Sequence, residues 1–323
     1  MEIIFLGTSS GTPTKTRNVS GLAIKMIANK SWCLVDCGEG TQQQILKTKL
    51  SLNRLSAIFI THLHGDHCYG LPGLIASATM TGRSDDLTII GPAASKEYFE
   101  AIQKHSQMRL SYKINFVAVE LIGSYNKLND FNVEIIQLSH RVASYAYGFI
   151  EKNIKAKLNV KKLKKDQIEP GTIWGELHKG SDITLHNGST LISDEYVLDK
   201  RNARKIIISG DNDNPELLKK AAKTSQVLVH EATYTDEVAQ KVGKAPQHSS
   251  AKMVAKFAET AALPNLVLTH FSPRYQLQAT KSNHSILEIQ QEAEKHYHGK
   301  LFLAEDFTCL QLDIDGELNQ LQN

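Results

Sequence analysis

Ala57-Ile58-Phe59-Ile60-Thr61-His62-Leu63-His64-Gly65-Asp66-His67 decides the reading of this chain. An apolar run with the character of a buried strand ends directly in three imidazoles and a carboxylate. Borderline divalent metals such as zinc take up these donors. On extended backbone, side chains two apart point the same way, so His62 and His64 can grip one ion. Gly65 lets the backbone turn tightly. Asp66 and His67 then fall in the first turn of the next segment and can face a second ion. Clusters of this kind are a signature of metal and catalytic sites.

The same pattern recurs further along the chain. Ile135-Ile136-Gln137-Leu138-Ser139 leads to His140, Ile206-Ile207-Ile208-Ser209-Gly210 to Asp211, and Leu266-Val267-Leu268-Thr269 to His270. In α/β sheets the carboxyl ends of strands converge on the functional crevice. Four segments distant in sequence are therefore expected to deliver His62, His140, Asp211 and His270 to one place. His230 and Glu231 follow Val227-Leu228-Val229 in the same way and stay open as further ligands. His105, His178, His186, His296 and His298 sit in polar surroundings and are expected to face solvent.

Short Ile- and Val-rich runs alternate with amphipathic ones, which implies layered sheets covered by helices. Strands are expected at Ile3–Leu6, Leu22–Met26, Cys33–Val35, Ala57–Ile60, Leu87–Ile90, Val133–Leu138, Tyr145–Ile150, Lys205–Ile208, Val227–Val229, Leu266–Leu268 and Leu301–Leu303. Helices are expected at Thr41–Leu50, Asp66–Ala78, Ser95–Gln107, Pro215–Lys223, Ser249–Ala261 and His284–Tyr297. At 323 residues, 41% hydrophobic and 22% charged, the chain can bury a full core, and long disordered tracts are excluded. Net charge is only +3, so the placement of the charge matters more than its sum.

Cys33, Cys37, Cys68 and Cys309 form no disulfide framework, and Met1–Phe5 is already strand-like rather than a leader. No apolar stretch approaches the roughly 20 residues of a membrane span. A soluble, cytoplasmic setting is expected. Cys68 adjoins the metal run but is expected to be a buried helix residue rather than a soft ligand.

The Thr61–His67 run resembles the metal-binding motif of the metallo-β-lactamase superfamily, and His140, Asp211 and His270 resemble its later motifs. Within that superfamily the chain resembles the ribonuclease Z family, endonucleases that trim the 3′ ends of precursor transfer RNAs. The likeness extends to Phe5-Leu6-Gly7-Thr8, Thr16-Arg17-Asn18-Val19-Ser20, Asp36-Cys37-Gly38-Glu39-Gly40-Thr41, Gly70-Leu71-Pro72-Gly73-Leu74, His230-Glu231-Ala232-Thr233, Gln247-His248-Ser249-Ser250 and Ser272-Pro273-Arg274-Tyr275. It implies an α/β chain with the metallo-β-lactamase fold, a four-layer αββα sandwich with metals at the edge between the sheets. Residues 1–323 would form one such domain.

The resemblance further implies two Zn2+ per subunit, with Mn2+, Mg2+ or Co2+ as substitutes. One would sit on His62, His64, His140 and Asp211, the other on Asp66, His67, Asp211 and His270, with Asp211 bridging. A homodimer is implied as well, one subunit's arm serving the other's active site. Two departures stand out: Gly210-Asp211-Asn212 where the family usually has Gly-Asp-Thr, and Pro170-Gly171-Thr172 where it often has Pro-Gly-Pro.

Between Ile150 and Lys205 lies a segment unlike the rest. Lys152, Lys155, Lys157, Lys161, Lys162, Lys164 and Lys165 crowd its first part with few acids among them. Loops longer than about 15 residues inside a domain are usually functional or disordered. The resemblance implies that 151–202 is an inserted flexible arm, an exosite for precursor tRNA. Lysines there would neutralise phosphates and give salt-dependent, nearly sequence-blind affinity, as recognition of structured RNA by shape demands.

Paired divalent cations suit in-line displacement at phosphorus. Asp66 can ligate and also accept the nucleophile's proton. The leaving ribose oxygen needs a proton, and His248, which is not needed as a ligand, is the expected donor. Glu231 is a candidate to orient His248 or a ligand. Arg17 and Arg274 are candidate phosphate contacts. The family resemblance implies a 3′-hydroxyl on the tRNA and a 5′-phosphate on the trailer. Two other readings use the same residues: a hydrolase of small esters on this scaffold, for which the lysine-rich insertion has no purpose, and a non-catalytic RNA-binding protein with structural zinc.

Overall fold

Alternation along single strands builds the layers. From the strand Glu2–Gly7, Ile3 and Phe5 enter one apolar cluster, while Leu6 enters another with Ile4 packed against it. In Lys205–Ile208, Ile206 and Ile208 join that first cluster, whereas Ile207 faces a third. The shared cluster therefore lies between two sheets. Phe59 sits inside it, with its ring centroid 5.0 Å from those of both Tyr147 and Phe149.

The computed structural model describes residues 1–154, 157–198, 201–277 and 284–321. The chain divides into two compact units, Met1–Ile150 with Arg204–Asn323, and Glu151–Ala203. In the first unit, one sheet has eight strands in the order Leu318–Gln320, Cys309–Leu312, Glu2–Gly7, Gly21–Lys25, Trp32–Val35, Leu55–Phe59, Leu87–Gly91 and Ile114–Ala118. The other has seven, in the order Lys300–Leu303, Asn265–Thr269, Val227–Glu231, Lys205–Ile208, Tyr145–Glu151, Phe131–Gln137 and Ser124–Tyr125. Helices Thr41–Leu46, Leu71–Met80 and Ala94–His105 cover the outer face of the first sheet. Helices Ala251–Thr260 and Ile286–Glu294 cover the second. The result is the expected αββα sandwich.

Each sheet contains a parallel run. Trp32–Val35, Leu55–Phe59, Leu87–Gly91 and Ile114–Ala118 pair in parallel, as do Lys205–Ile208, Val227–Glu231, Asn265–Thr269 and Lys300–Leu303. Asp36, His62, Asp211 and His270 all follow carboxyl ends of these strands, and Glu231 closes one.

All eleven expected strands are present, with end shifts of at most two residues and none for Lys205–Ile208. The helix expected over Asp66–Ala78 is two helices, Gly65–Cys68 and Leu71–Met80. The break at Gly70 is a backbone contact: a Cβ there would lie 2.1 Å from the Gly38 carbonyl oxygen, and a Cβ on Gly38 would lie 2.2 Å from that of Asp66. The Gly70 amide donates to Cys37 (2.9 Å) and the Cys37 amide to His67 (2.8 Å), which fixes the turn carrying His67. Thr41–Leu50 is helical only to Leu46, and Pro215–Lys223 is a 3-10 turn, Pro215–Leu218, followed by Lys219–Ala222.

The Glu151–Ala203 unit has helices Val160–Lys165 and Thr172–Lys179 and a small hairpin, Ile183–Thr184 with Thr190–Leu191. It buries its own core of Leu163, Ile168, Leu177, Leu191 and Tyr196. Lys162 bonds Glu195 at 2.7 Å and lies 4.6 Å from the Tyr196 ring centroid. Lys157, Lys161, Lys164 and Lys165 are exposed, and Lys155 lies outside the described residues. No helix among the described residues is long and apolar enough to cross a membrane.

Candidate metal centre

The four strand ends meet. His62 Nε2 lies 3.2 Å from His64 Nδ1, which lies 3.1 Å from His140 Nε2. Asp211 Oδ2 closes this group at 3.6 Å from His62 Nε2 and 3.8 Å from His140 Nε2. Beside it, His67 Nε2 and His270 Nε2 are 3.2 Å apart, and Asp66 Oδ2 is 3.5 and 3.3 Å from them. Asp211 Oδ1 lies 3.5 Å from His67 Nε2 and 3.4 Å from His270 Nε2. One Asp211 oxygen thus faces each group, and all seven expected ligands are brought together.

Outward partners fix the imidazole tautomers, as metal-binding histidines require. His67 Nδ1–H donates to Asp36 Oδ2 (2.7 Å), and His140 Nδ1–H to the Gln247 carbonyl (2.9 Å). Thr61 Oγ1 gives its proton to Asp36 (2.8 Å) and so accepts from His62 Nδ1–H (3.0 Å). Thr233 Oγ1 gives its proton to Glu231 and so accepts from His270 Nδ1–H (3.1 Å). With Nδ1 committed outward, Nε2 of His62, His67, His140 and His270 faces inward, crowded with His64 Nδ1 around two points. Their spacing is close to the roughly 3.3 Å edge of a tetrahedron drawn with 2.0–2.1 Å zinc–nitrogen bonds. Asp36 and His270 hold left-handed backbone, φ +59° in both, a conformation that costs free energy and clusters at functional sites.

Charge tells the same story. Burial works against a proton on His67, yet Asp211, Asp66 and Asp36 outweigh it and push the imidazole well above its ordinary range. Burial opposes ionisation of Asp66, yet His67 and His270 hold its carboxyl far below the usual value. Burial, with the neighbouring histidines, drives His62 well below its ordinary range, and burial also lowers His64 and His140. Buried carboxylates ringed by imidazoles call for positive charge between them. The donor set fits divalent metal ions.

His62, His67, Asp211 and His270 are buried, while His64, Asp66, His140 and His248 are half-buried and give the cluster its open face. His248 lies outside these two groups but forms a third, overlapping one with Asp211 and His270. Its Nδ1 lies 2.9 Å from Glu231 Oε1 and 3.7 Å from Asp211 Oδ2. Burial opposes its protonation, but Glu231 and Asp211 raise it to about 9. Glu231, buried and facing His248, is lowered to about 2 against its own burial.

Asp36 was not among the expected site residues. The signal was present, since it follows the apolar strand Trp32–Val35 as His62 follows Leu55–Phe59. Thr61 and Thr233 were missed too, because a hydroxyl relay has no sequence signature of its own. Cys68 is a buried helix residue whose thiol burial pushes up to about 12.

Arg17 turns inward, away from the expected phosphate contact. Its guanidinium is buried, donates to Thr8 Oγ1 (2.8 Å) and the Ala304 carbonyl (2.7 Å), and lies over the Phe271 ring. Arg274 is exposed, 5.3 Å from the Tyr234 ring centroid, and that ring stands edge-on to His248. Among the outlying histidines, His296 is half-buried and the other four are exposed.

The family model for the anti-Pycsar protein Apyc1 matches residues 1–158, which include the Thr61–His67 run but less than half of the chain. Ribonuclease Z of Marinobacter nauticus is 50% identical over 323 residues, 100% of both chains. Among solved structures, the short form of human tRNase Z superposes with a TM-score of 0.67 at 26% identity, covering 97% of this chain and 100% of that one. The metallo-β-lactamase fold protein YhfI of Bacillus subtilis does so with a TM-score of 0.64 at 16% identity, covering 95% and 98%. On the strength of its full-length likeness, the chain belongs to the ribonuclease Z family of endoribonucleases.

Proposed function

We propose that this chain is a zinc-dependent endoribonuclease that removes the 3′ trailer from precursor tRNA. The observation that carries the reading is the placing of Asp211, one oxygen toward each histidine group, beside a half-buried His248 that Glu231 holds through Nδ1. His62, His64, His140 and Asp211 would hold one Zn2+, and Asp66, His67, Asp211 and His270 the second, with Mn2+, Mg2+ or Co2+ as substitutes. When bound, such a pair acidifies water and screens charge on a phosphate.

The chain's own groups do the remaining work. Asp66 accepts the proton released by the attacking water, whose oxygen bonds to phosphorus as the bond from phosphorus to the ribose O3′ breaks. His248, held through Nδ1 by Glu231, delivers the Nε2 proton to that departing oxygen. The tRNA keeps a 3′-hydroxyl and the trailer a 5′-phosphate. In this reading the Glu151–Ala203 unit is the arm that holds the RNA, and its exposed Lys157, Lys161, Lys164 and Lys165 meet the phosphates.

The protein works in the cytoplasm as a homodimer in this reading. Four free thiols support a reducing compartment. Leu46, Tyr69 and Met80, exposed at 80%, 64% and 88%, offer apolar surface to a second copy. The test is incubation of purified protein with a labelled precursor tRNA, with and without chelator, and mapping of both new ends. The reading requires one metal-dependent cut at the trailer junction; a protein that leaves precursor tRNA intact but hydrolyses small esters refutes it.

A further inference from the structure

Asn212 stands next to Asp211 and is fully buried, 0% exposed. Its side-chain oxygen accepts the amides of Ser139 and Asn214, both at 3.2 Å. That orients the amide nitrogen toward His230 Nε2 at 3.1 Å. His230 Nδ1–H is committed to the Glu231 carbonyl at 2.8 Å, so Nε2 is the acceptor. The backbone amide of Asn212 donates to Glu231 Oε1 (3.0 Å), the same oxygen that holds His248. Its carbonyl accepts the Ser249 hydroxyl (2.6 Å).

Three of these partners neighbour a working group. Ser139 precedes His140, Glu231 grips His248, and Ser249 follows it. A single buried residue, through its side-chain amide and its backbone, therefore ties the histidine of one group, the shared Asp211 and the His248 loop into one frame.

We propose that Asn212 is a positioning residue that sets the register between the cation-binding edge and the proton donor His248. The inference rests on the function proposed above. Fixed hydrogen bonds of this kind hold reacting groups within the few tenths of an ångström that catalysis requires. Asn212 touches neither substrate nor reacting atoms. Its effect reaches the chemistry through Ser139, Glu231 and Ser249.

The test uses the full-length, metal-loaded protein and two substrates. Precursor tRNA leaves through a ribose oxygen that needs a proton; bis-p-nitrophenyl phosphate leaves through p-nitrophenolate, which does not. Asn212→Asp keeps the shape but turns a carboxylate oxygen toward the lone pair of His230. We expect kcat on precursor tRNA to fall about 10- to 100-fold, with KM unchanged, metal content retained and a much smaller loss on the nitrophenyl ester. Adding His230→Gln, which presents an amide donor to that carboxylate, should restore part of the lost kcat.

Ser249→Ala removes one tie without disturbing the Asn212 side chain and is expected to show the same substrate split more weakly, even if Asn212→Asp fails to fold. Equal losses on both substrates in Ser249→Ala and any folded Asn212→Asp protein, or no loss in either, overturn the inference. Failure of the wild-type protein to cut precursor tRNA would instead overturn the proposed function.

Discussion

Nδ1 of His248 lies 2.9 Å from Oε1 of Glu231, a carboxylate that is itself buried and accepts the Asn212 amide. Glu231 raises the proton affinity of the imidazole, so His248 is charged below about 9 and neutral above it in the ion-free cluster. A proton donor is lost as pH rises through its pKa. Glu231→Gln lowers that pKa, so the alkaline fall in kcat/KM on precursor tRNA should begin at lower pH. Bound cations oppose the proton in both proteins, and the difference between the two profiles isolates the carboxylate. Superimposable alkaline limbs would contradict the assignment.

His248→Ala should cost about 10²- to 10⁴-fold in kcat on precursor tRNA, the usual range for removing a general acid. The loss on bis-p-nitrophenyl phosphate should be far smaller, because its leaving group needs no proton. Equal losses would mean that His248 serves the metals instead.

Arg17 and Asp306 pin the loop that reaches the metal edge. Asp306 accepts from Thr8 Oγ1 (2.8 Å) and the Asn18 amide (2.6 Å), and the Gly11 amide donates to Asp66 Oδ2 (2.7 Å). Arg17→Ala breaks buried hydrogen bonds from a charged group and should cost about 2–3 kcal/mol of stability, with a fall in kcat through Asp66. A phosphate contact would behave differently: KM would rise and the melting temperature would hold. Thermal denaturation and steady-state kinetics on one preparation separate the two.

Deleting 152–202 should abolish cleavage of precursor tRNA while sparing the nitrophenyl ester. In the intact protein, the logarithm of tRNA affinity should fall linearly with that of salt concentration. Charge-neutral substitutions at Lys157, Lys161, Lys164 and Lys165 should flatten the slope by a little under one unit for each phosphate no longer neutralised. Unchanged RNA cleavage by the deletion would remove the arm's proposed role.

The sandwich was legible because both faces of each sheet are buried. Many of its strands read as continuous Ile- and Val-rich runs, and those that lead to His62, His140, Asp211 and His270 reach a polar residue within two positions of their ends. Most strands missed in this unit lie at sheet edges or are very short: every residue of Ile114–Ala118 is only half-buried, and Leu318–Gln320 has one buried side chain, while the inner strand Cys309–Leu312 has only two buried residues. The broken helix at Gly70 was hidden because its cause, the close approach of Gly38, lies some thirty residues away in sequence. The candidate ligands were legible as residue types at or just beyond strand ends. Thr61 and Thr233 were not, since their importance comes from what they accept across space. Arg17 shows the reverse case, a cation in a motif loop that turns inward to hold the loop together.

The most direct measurement is a metal titration of the chelator-stripped protein, following melting temperature and precursor tRNA cleavage on the same samples. Ions that bind the folded cluster stabilise it by mass action, about 2.7 kcal/mol at a hundredfold excess over Kd. The account predicts that activity is absent in the stripped protein, that melting temperature rises with added Zn2+, and that full activity is reached at two ions per chain. Full activity in a protein with no bound ion, or saturation at one per chain, would contradict it.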